Sequence, residues 1–297
     1  MSITGGTSNM RVRLVIGCIL VGFFCWQVSR NSDEPGTIAT SRTSMIPPAV
    51  AYSAPDIRPG SLSNDELAKT DPLGLLKVAL QRYQNSVSDY TCDFTKQERI
   101  RGILGQEQQI AVRFREMPFS VLMEWTRNPG DARRVLFVEG MWQNDEGQPL
   151  AKIEPQGAIA RLLVKSVMLP INGPQARAVS RRTVDKFGFG NALKLIIDYA
   201  ASAIKTGQGS LTYEGETTIN GRKAWTFKRV LPYTGDGGAW PDRVLVVHID
   251  REWLLPVACY TYADDAQQVM LARYEFANIR LNTGLDEKAF DAEANGF

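Results

Sequence analysis

Histidine is nearly absent: the 297 residues contain one, His248. With no Cys-x-x-Cys pair beside it, a zinc site of the usual Cys/His spacing is excluded. Cysteine is sparse too, four in all, and Cys18 and Cys25 fall in an apolar N-terminal run. That leaves Cys92 and Cys259 for the folded part. A surplus of charge is also missing. The formal net charge is +2, and Arg11, Arg13 and Arg30 precede the first acidic residue, so the rest of the chain is near neutral. A near-neutral body has no electrostatic footprint for nucleic acid, which is excluded as a partner. Carboxylates such as Glu139, Asp145, Asp198, Asp242 and Asp264 are scattered. None forms the pair needed for glycoside or metal chemistry. Gly188-Phe189-Gly190 lacks the third glycine of a dinucleotide fingerprint and any P-loop lysine-serine pair, so it reads as a flexible helix entry. No catalytic residue, metal or cofactor is expected.

What is present begins at the N-terminus. Arg11 and Arg13 precede Leu14 to Val28, an uncharged apolar stretch. A positive flank before an apolar core is the form of an export signal or signal-anchor. At fifteen residues the run falls short of the roughly 20 of a comfortable membrane helix. No small-residue cleavage site follows promptly. Residues 1–30 therefore read as a signal-anchor or signal peptide, anchoring the body outside the cytoplasmic membrane on the periplasmic side, or releasing it after cleavage. Residues 31–64, rich in Ser, Thr, Pro and Ala, read as a disordered tether. Residues 65–297 are then one domain.

The domain's strongest signal runs from Tyr90 to Thr126. Three runs alternate apolar and polar residues, with Gly102, Gly105 and Pro118 between them. A period of two over successive runs predicts an antiparallel meander with one apolar face. Ahead of it, Asp71-Pro72 opens a helix carrying Leu73, Leu76, Leu80, Tyr83 and Val87 on one stripe. A second amphipathic helix carries Leu193, Ile196, Ile197, Ala200 and Ile204 and closes at Gly207. Between them, Gly157 to Met168 is predicted to be a short helix and Pro170 to Pro174 a loop. Five more strands follow from Ser210 to Leu281, with a hairpin turn at Asn220-Gly221. Leu285 to Phe297 is expected to fray. The fold class is α+β, a single curved antiparallel sheet left open as a half-barrel around two or three helices.

Two helices are few for so long a sheet, which can therefore leave a partly filled apolar cavity. Its expected lining is Phe94, Ile110, Phe114, Val121, Met123, Trp125, Trp225, Phe227, Tyr260, Tyr274 and Phe276. A closed, fully packed core is the competing expectation. Cys92 and Cys259 are candidates for a disulfide in an exported protein, against a pair of buried free thiols. Cys259 and His248, on neighbouring strands, form a conceivable nucleophile and base for a thiol hydrolase, although no oxyanion loop accompanies them. The loop between Pro232 and Pro241, with Tyr233 and Trp240 at its ends, is a candidate grip for a protein partner.

The strings KQERIRGILGQEQQI, Arg115-Glu116-x-Pro118-Phe119-Ser120-Val121-x-x-x-Trp125 and YEFANIRLNTGLDEKAFD resemble a family of exported planctomycete proteins known by a domain-of-unknown-function label. Three shorter signatures are similar to the half-barrel fold of the lipoprotein carriers and sensors LolA, LolB and RseB. They are Tyr90 to Gln97, Pro118 to Trp125 and Phe276 to Asn282. The resemblance implies an unclosed barrel with helices inside as a lid, whose concave face receives an acyl chain of a lipid or lipoprotein. An uncleaved anchor and the long stretch from Pro155 to Gly190 depart from a shuttling carrier. They favour an anchored acceptor, or a sensor that binds an envelope protein partner.

Overall fold

The structure, a computed structural model, describes residues 62–157, 164–236 and 238–297. The expected signal-anchor over 1–30 and the tether up to residue 61 lie outside these residues. The end of the tether does not. Ser63 caps helix α1 (Asn64–Thr70), accepting from the Glu66 amide while the Glu66 carboxylate accepts from the Ser63 amide. This reciprocal capping box satisfies two donors that a helix start otherwise leaves open.

Helix α2 (Pro72–Ser86) begins as expected, with the Asp71 carboxylate accepting from the Gly74 amide and Pro72 in the first turn. Its buried residues Leu75, Leu76, Ala79 and Tyr83 form one stripe. The chain then enters the sheet. The strands are β1 (Asp89–Ile100), β2 (Ile103–Leu104), β3 (Gln108–Arg115), β4 (Ser120–Arg127), β5 (Ala132–Val138) and β6 (Leu150–Pro155). After β7 (Val167–Pro170) come helices α3 (Pro174–Val179) and α4 (Phe189–Lys205). The sheet resumes with β8 (Ser210–Ile219), β9 (Arg222–Val230), β10 (Val244–Asp250), β11 (Pro256–Tyr262) and β12 (Met270–Leu281).

All the pairs are antiparallel, in the order β7-β6-β5-β4-β3-β1-β12-β11-β10-β9-β8, with β2 hairpinned onto β1. β7 and β8 are the free ends, so the sheet does not close. The longest-range pairing, β1 with β12, sits at its centre and joins the two halves of the domain. Register shifts in six of the eleven strand pairs, from Thr91/Asp93 to Thr261/Tyr262, mark bulges that bend the strands. The curved sheet buries one face around α2 and α4, which pack against each other.

Three segments differ from expectation. Val167 and Met168, assigned to a helix, lie in β7, where Val167 pairs with Ile153 and Met168 with Lys152. Residues 158–163 lie outside the described residues. Pro174, placed in a loop, starts α3, since a fixed φ suits a first helical position. The C-terminal segment does not fray. A 3-10 turn at Glu287–Phe290 and the closing residues lie on the outer face of β4 and β5, where Phe290 and Phe297 pack with Leu122, Leu136 and Val138. Arg134 stacks over the Phe297 ring at 4.5 Å and donates to the carbonyls of Asn295 and Gly296. Arg115 stacks over Phe290 at 5.0 Å. Alternation in β4 is broken by Leu122, whose apolar side chain faces outward because this strap covers it.

Candidate binding site

The register arranges the concave face in rows. The deepest holds Tyr90, Phe114, Val121 and Phe137, the next Cys92, Val112, Met123 and Val135. Above them Phe94 aligns with Ile110, Trp125 and Phe276. These rows make an aromatic floor. Tyr90 stacks on Phe114 at 4.7 Å between centroids, Phe94 stacks on Phe276 at 4.9 Å, and Phe119 meets Phe114 edge-on at 5.1 Å. Phe187 and Phe189, at the start of α4, insert from above and touch Phe94, Tyr90 and Phe276.

The approach of α4 explains its two glycines. A Cβ at Gly188 would lie 3.0 Å from the Phe114 ring, and its φ of +109° disfavours any other residue. A Cβ at Gly190 would lie 2.6 Å from Tyr83. Gly188-Phe189-Gly190 thus seats a helix on the floor, as a helix entry should.

Towards the open ends of the strands the face turns polar. Lys96 aligns with Tyr274 and Cys259, and in the next row Glu98, Ala272, Thr261, Leu245 and Arg229 lie side by side. Glu98 is buried and accepts from Lys96, from the Tyr274 hydroxyl and from the Arg181 amide. Arg229 and Asp242, each 1% exposed, form an ion pair at 2.8 Å. Over this mouth Arg181 acts as a latch. It pairs with Asp236 at 2.9 Å and donates to the carbonyls of Arg99 and Pro241, joining the segment before α4 to β1 and to the Pro232–Pro241 loop. Burial lowers the Arg181 pKa, but the Asp236 carboxylate more than offsets it, so the guanidinium stays charged.

Of the eleven residues expected to line a cavity, ten belong to the concave core or pack against it. Phe94, Ile110, Phe114, Val121, Met123, Trp225, Phe227 and Phe276 are buried, and Trp125 and Tyr274 are half-buried. Tyr260 is not with them. It lies on the outer face, edge-on to His248 at 5.6 Å, and donates to Glu275. The ten share one core with residues of α1, α2 and α4 and with Phe187, and Trp225 donates to Asp65 of α1. Two clefts open at the surface: one of about 190 Å³ bordered by Phe276 with Asn220, Arg222 and Trp253, and one of about 450 Å³ around Arg222, Asp250 and Glu252.

Neither candidate pairing of cysteine is formed, and the free-thiol alternative holds. Cys92 and Cys259 are free, buried thiols. They sit two strands apart and about four residues out of register, roughly 16 Å by sheet spacings, beyond the roughly 7 Å reach of a disulfide. Nor do Cys259 and His248 form a dyad. Val247, not His248, aligns with Cys259, so thiol and imidazole project from opposite faces. Burial pushes the Cys259 thiol up to about 12, where it is no nucleophile at neutral pH. His248 Nδ1 instead meets the Thr226 hydroxyl at 3.0 Å, and burial lowers its pKa.

The latch was not anticipated from the sequence. Arg181, Glu98 and Asp236 lie far apart along the chain, and only the β1–β12 pairing brings their segments together. In the candidate grip Tyr233 donates to Asp236, and Trp240 packs against Tyr199 at 5.9 Å.

Residues 87–296, from the end of α2 through the strap, match the family model described as "Protein of unknown function (DUF1571)". The chain belongs to this family. No curated protein matches the sequence. Among solved structures, the DUF1571 chain is similar to a DUF1329 family protein from Desulfovibrio piger, at 13% identity and a TM-score of 0.39, over 76% of this chain and 99% of that one. It is similar to the Pseudomonas aeruginosa MucA/MucB complex at 15% identity and a TM-score of 0.44, over 74% of this chain but 61% of that one, less than two thirds. It is also similar to a LolA superfamily protein from Nitrosomonas europaea at 7% identity and a TM-score of 0.24, over 73% and 98%. At these scores no ligand or partner is carried across.

Proposed function

We propose that this DUF1571 protein is a non-enzymatic envelope binding protein that takes a lipophilic group, an acyl chain free or on a lipoprotein, against its concave face. The observation that supports this reading best is how that face is sealed. Its aromatic floor is covered by helices and loops rather than by a second sheet, and the cover is tied at the mouth by polar contacts centred on Arg181. Polar contacts at a rim open at lower cost than a packed core, so the cover can lift and an acyl chain can take the place of Phe187 and its neighbours. In the same reading the apolar run Leu14 to Val28 directs export. The body then stands on the periplasmic side, anchored or released after cleavage.

Native mass spectrometry of the full-length protein, extracted in mild detergent, tests this. The expected result is a bound mass in the lipid range that is lost in Trp125→Glu, with circular dichroism unchanged. A clean unliganded mass, together with no binding of a fluorescent fatty acid, would overturn it. The filled interior supports a second reading, a tethered sensor or interaction module with a closed core that pairs an envelope protein along the free edge of β8. In that case the unliganded mass would accompany a partner whose capture is lost when Thr212, Glu214 and Glu216 on that edge are replaced by proline.

A further inference from the structure

The mouth contains a charge that the fold leaves partly unmet. Arg229 is 1% exposed, yet one nitrogen, Nη2, makes both of its bonds to Asp242, at 2.9 and 2.8 Å. Nε and Nη1 are buried with no acceptor among the described residues. No other side chain among the described residues leaves two such nitrogens. One face of the guanidinium is turned to the Tyr199 ring, 5.6 Å from its centroid. Buried donors of a charged group are rarely left unpaired, because they lose water without gaining a partner. Burial alone does not account for this pair.

A second cation lies close by. Arg182 is half-buried and has no ion pair among the described residues. It follows Arg181, whose amide donates to Glu98 in the strand row that ends at Arg229. Across Arg229, Lys96, Arg181 and Arg182 the mouth holds four positive charges. Asp242, Glu98 and Asp236 supply three negative ones. The unmatched charge and the unmatched donors thus belong to the same polar end of the face. The segment that carries Asp242 runs beside Arg229 and is tied down by the bond from Arg181 to the Pro241 carbonyl.

We propose that Arg229 and Arg182 form a site for an anionic head group, a carboxylate or phosphate, on the ligand whose tail lies on the aromatic floor. The inference rests on the binding reading above and deepens it by naming the chemical class of ligand. The floor supplies affinity for the tail. The two guanidiniums select the head, since a charged acceptor in a dry site meets donors that water no longer satisfies. The latch sets the order of events: Arg181 releases Pro241, the loop lifts, and the head reaches Arg229.

The test compares one tail with two heads. A fluorescent fatty acid and its methyl ester are titrated into the full-length protein, in wild type and in Arg182→Gln. Arg182 is the variant of choice because it has no ion pair among the described residues to break. Wild type should bind the acid roughly ten- to hundredfold more tightly than the ester, the span of a charged hydrogen bond or two. Arg182→Gln should lose most of that preference and leave ester binding unchanged. Arg182→Lys should restore part of it. Equal affinity for acid and ester in wild type, or a preference that survives Arg182→Gln, would overturn the head-group site while leaving acyl binding intact. Binding of neither probe would overturn both.

Discussion

The floor and the mouth of one concave surface are built on opposite principles. The floor, from Tyr90 to Phe276, has stacked rings and buried aliphatic groups, and its stability comes from area withdrawn from water and from close packing. The mouth is held by charge: Glu98 accepts three donors, Arg229 faces Asp242, and Arg181 ties three segments at once. Packing is non-directional and tolerates no gap, whereas ion pairs can part and re-form as water enters. A surface made in this way keeps its shape at one end and can open at the other.

If that division is real, the largest effect comes from the floor. Phe114, 1% exposed, touches Tyr90 and Phe119 and supports Gly188. Phe114→Ala should cost about 3–5 kcal/mol, seen as a lower midpoint in chemical denaturation. At the mouth, Asp242→Ala should cost a comparable amount, but for another reason, because it strands a buried guanidinium. The two are separated by compensation. Replacing both members, Arg229→Met with Asp242→Leu, should recover most of the loss, whereas no second change at the floor will refill the space left by Phe114. A double variant no better than Asp242→Ala would erase the distinction.

The sequence made the floor legible and left the mouth hidden, for a physical reason. Alternation along β1, β3 and β4 is a local pattern, and burial follows it cleanly in β3 and at the inward positions of β1 and β4, so Tyr90, Phe114 and Val121 could be named in advance. Tyr260 was misplaced because bulges in β10–β11 and β11–β12 shift phase, and an aromatic residue suits either face of a half-covered sheet. Ion pairs carry no such period. Arg181 meets Asp236 and Glu98 only after β1, the segment before α4 and the Pro232–Pro241 loop converge. The C-terminal strap was missed for a related reason: its cover for Leu122 and Leu136 comes from single aromatic residues, Phe290 and Phe297, in a segment with no repeat at all. Helix α1 was legible and overlooked, since Ser63 and Glu66 have the capping-box spacing.

A smaller effect sharpens the comparison by leaving the floor untouched. Arg181→Gln should shift global stability by about 1 kcal/mol or less, since Asp236 is half-exposed and such pairs contribute little. Its consequence is local. Hydrogen exchange at amides of the Pro232–Pro241 loop should speed up, while amides of β1 and β3 keep their protection. Uniform acceleration in both regions would mean that mouth and floor open as one unit.

The smallest effect is a difference in sign between two carboxylates. Glu116, beside Tyr83 at the edge of the floor, has its pKa raised above the usual 4.5 by burial, which outweighs the hydrogen bond from the Tyr83 hydroxyl. Asp236, at the mouth, is pushed up by burial, but the bonds from Tyr233 and Arg181 prevail and hold it below 3.8. By linkage, Glu116 favours the folded state fully below 4.5, and loses that contribution as pH rises through its raised value. Asp236 does the reverse: its contribution is present above 3.8 and is lost as pH falls through its lowered value. Carboxyl titration by NMR should therefore give a Glu116 midpoint above 4.5 and an Asp236 midpoint below 3.8. In Arg181→Gln the Asp236 midpoint should rise while Glu116 stays in place. If both midpoints moved together, the latch would be coupled to the floor, and a mouth that opens over a fixed base would have to be given up.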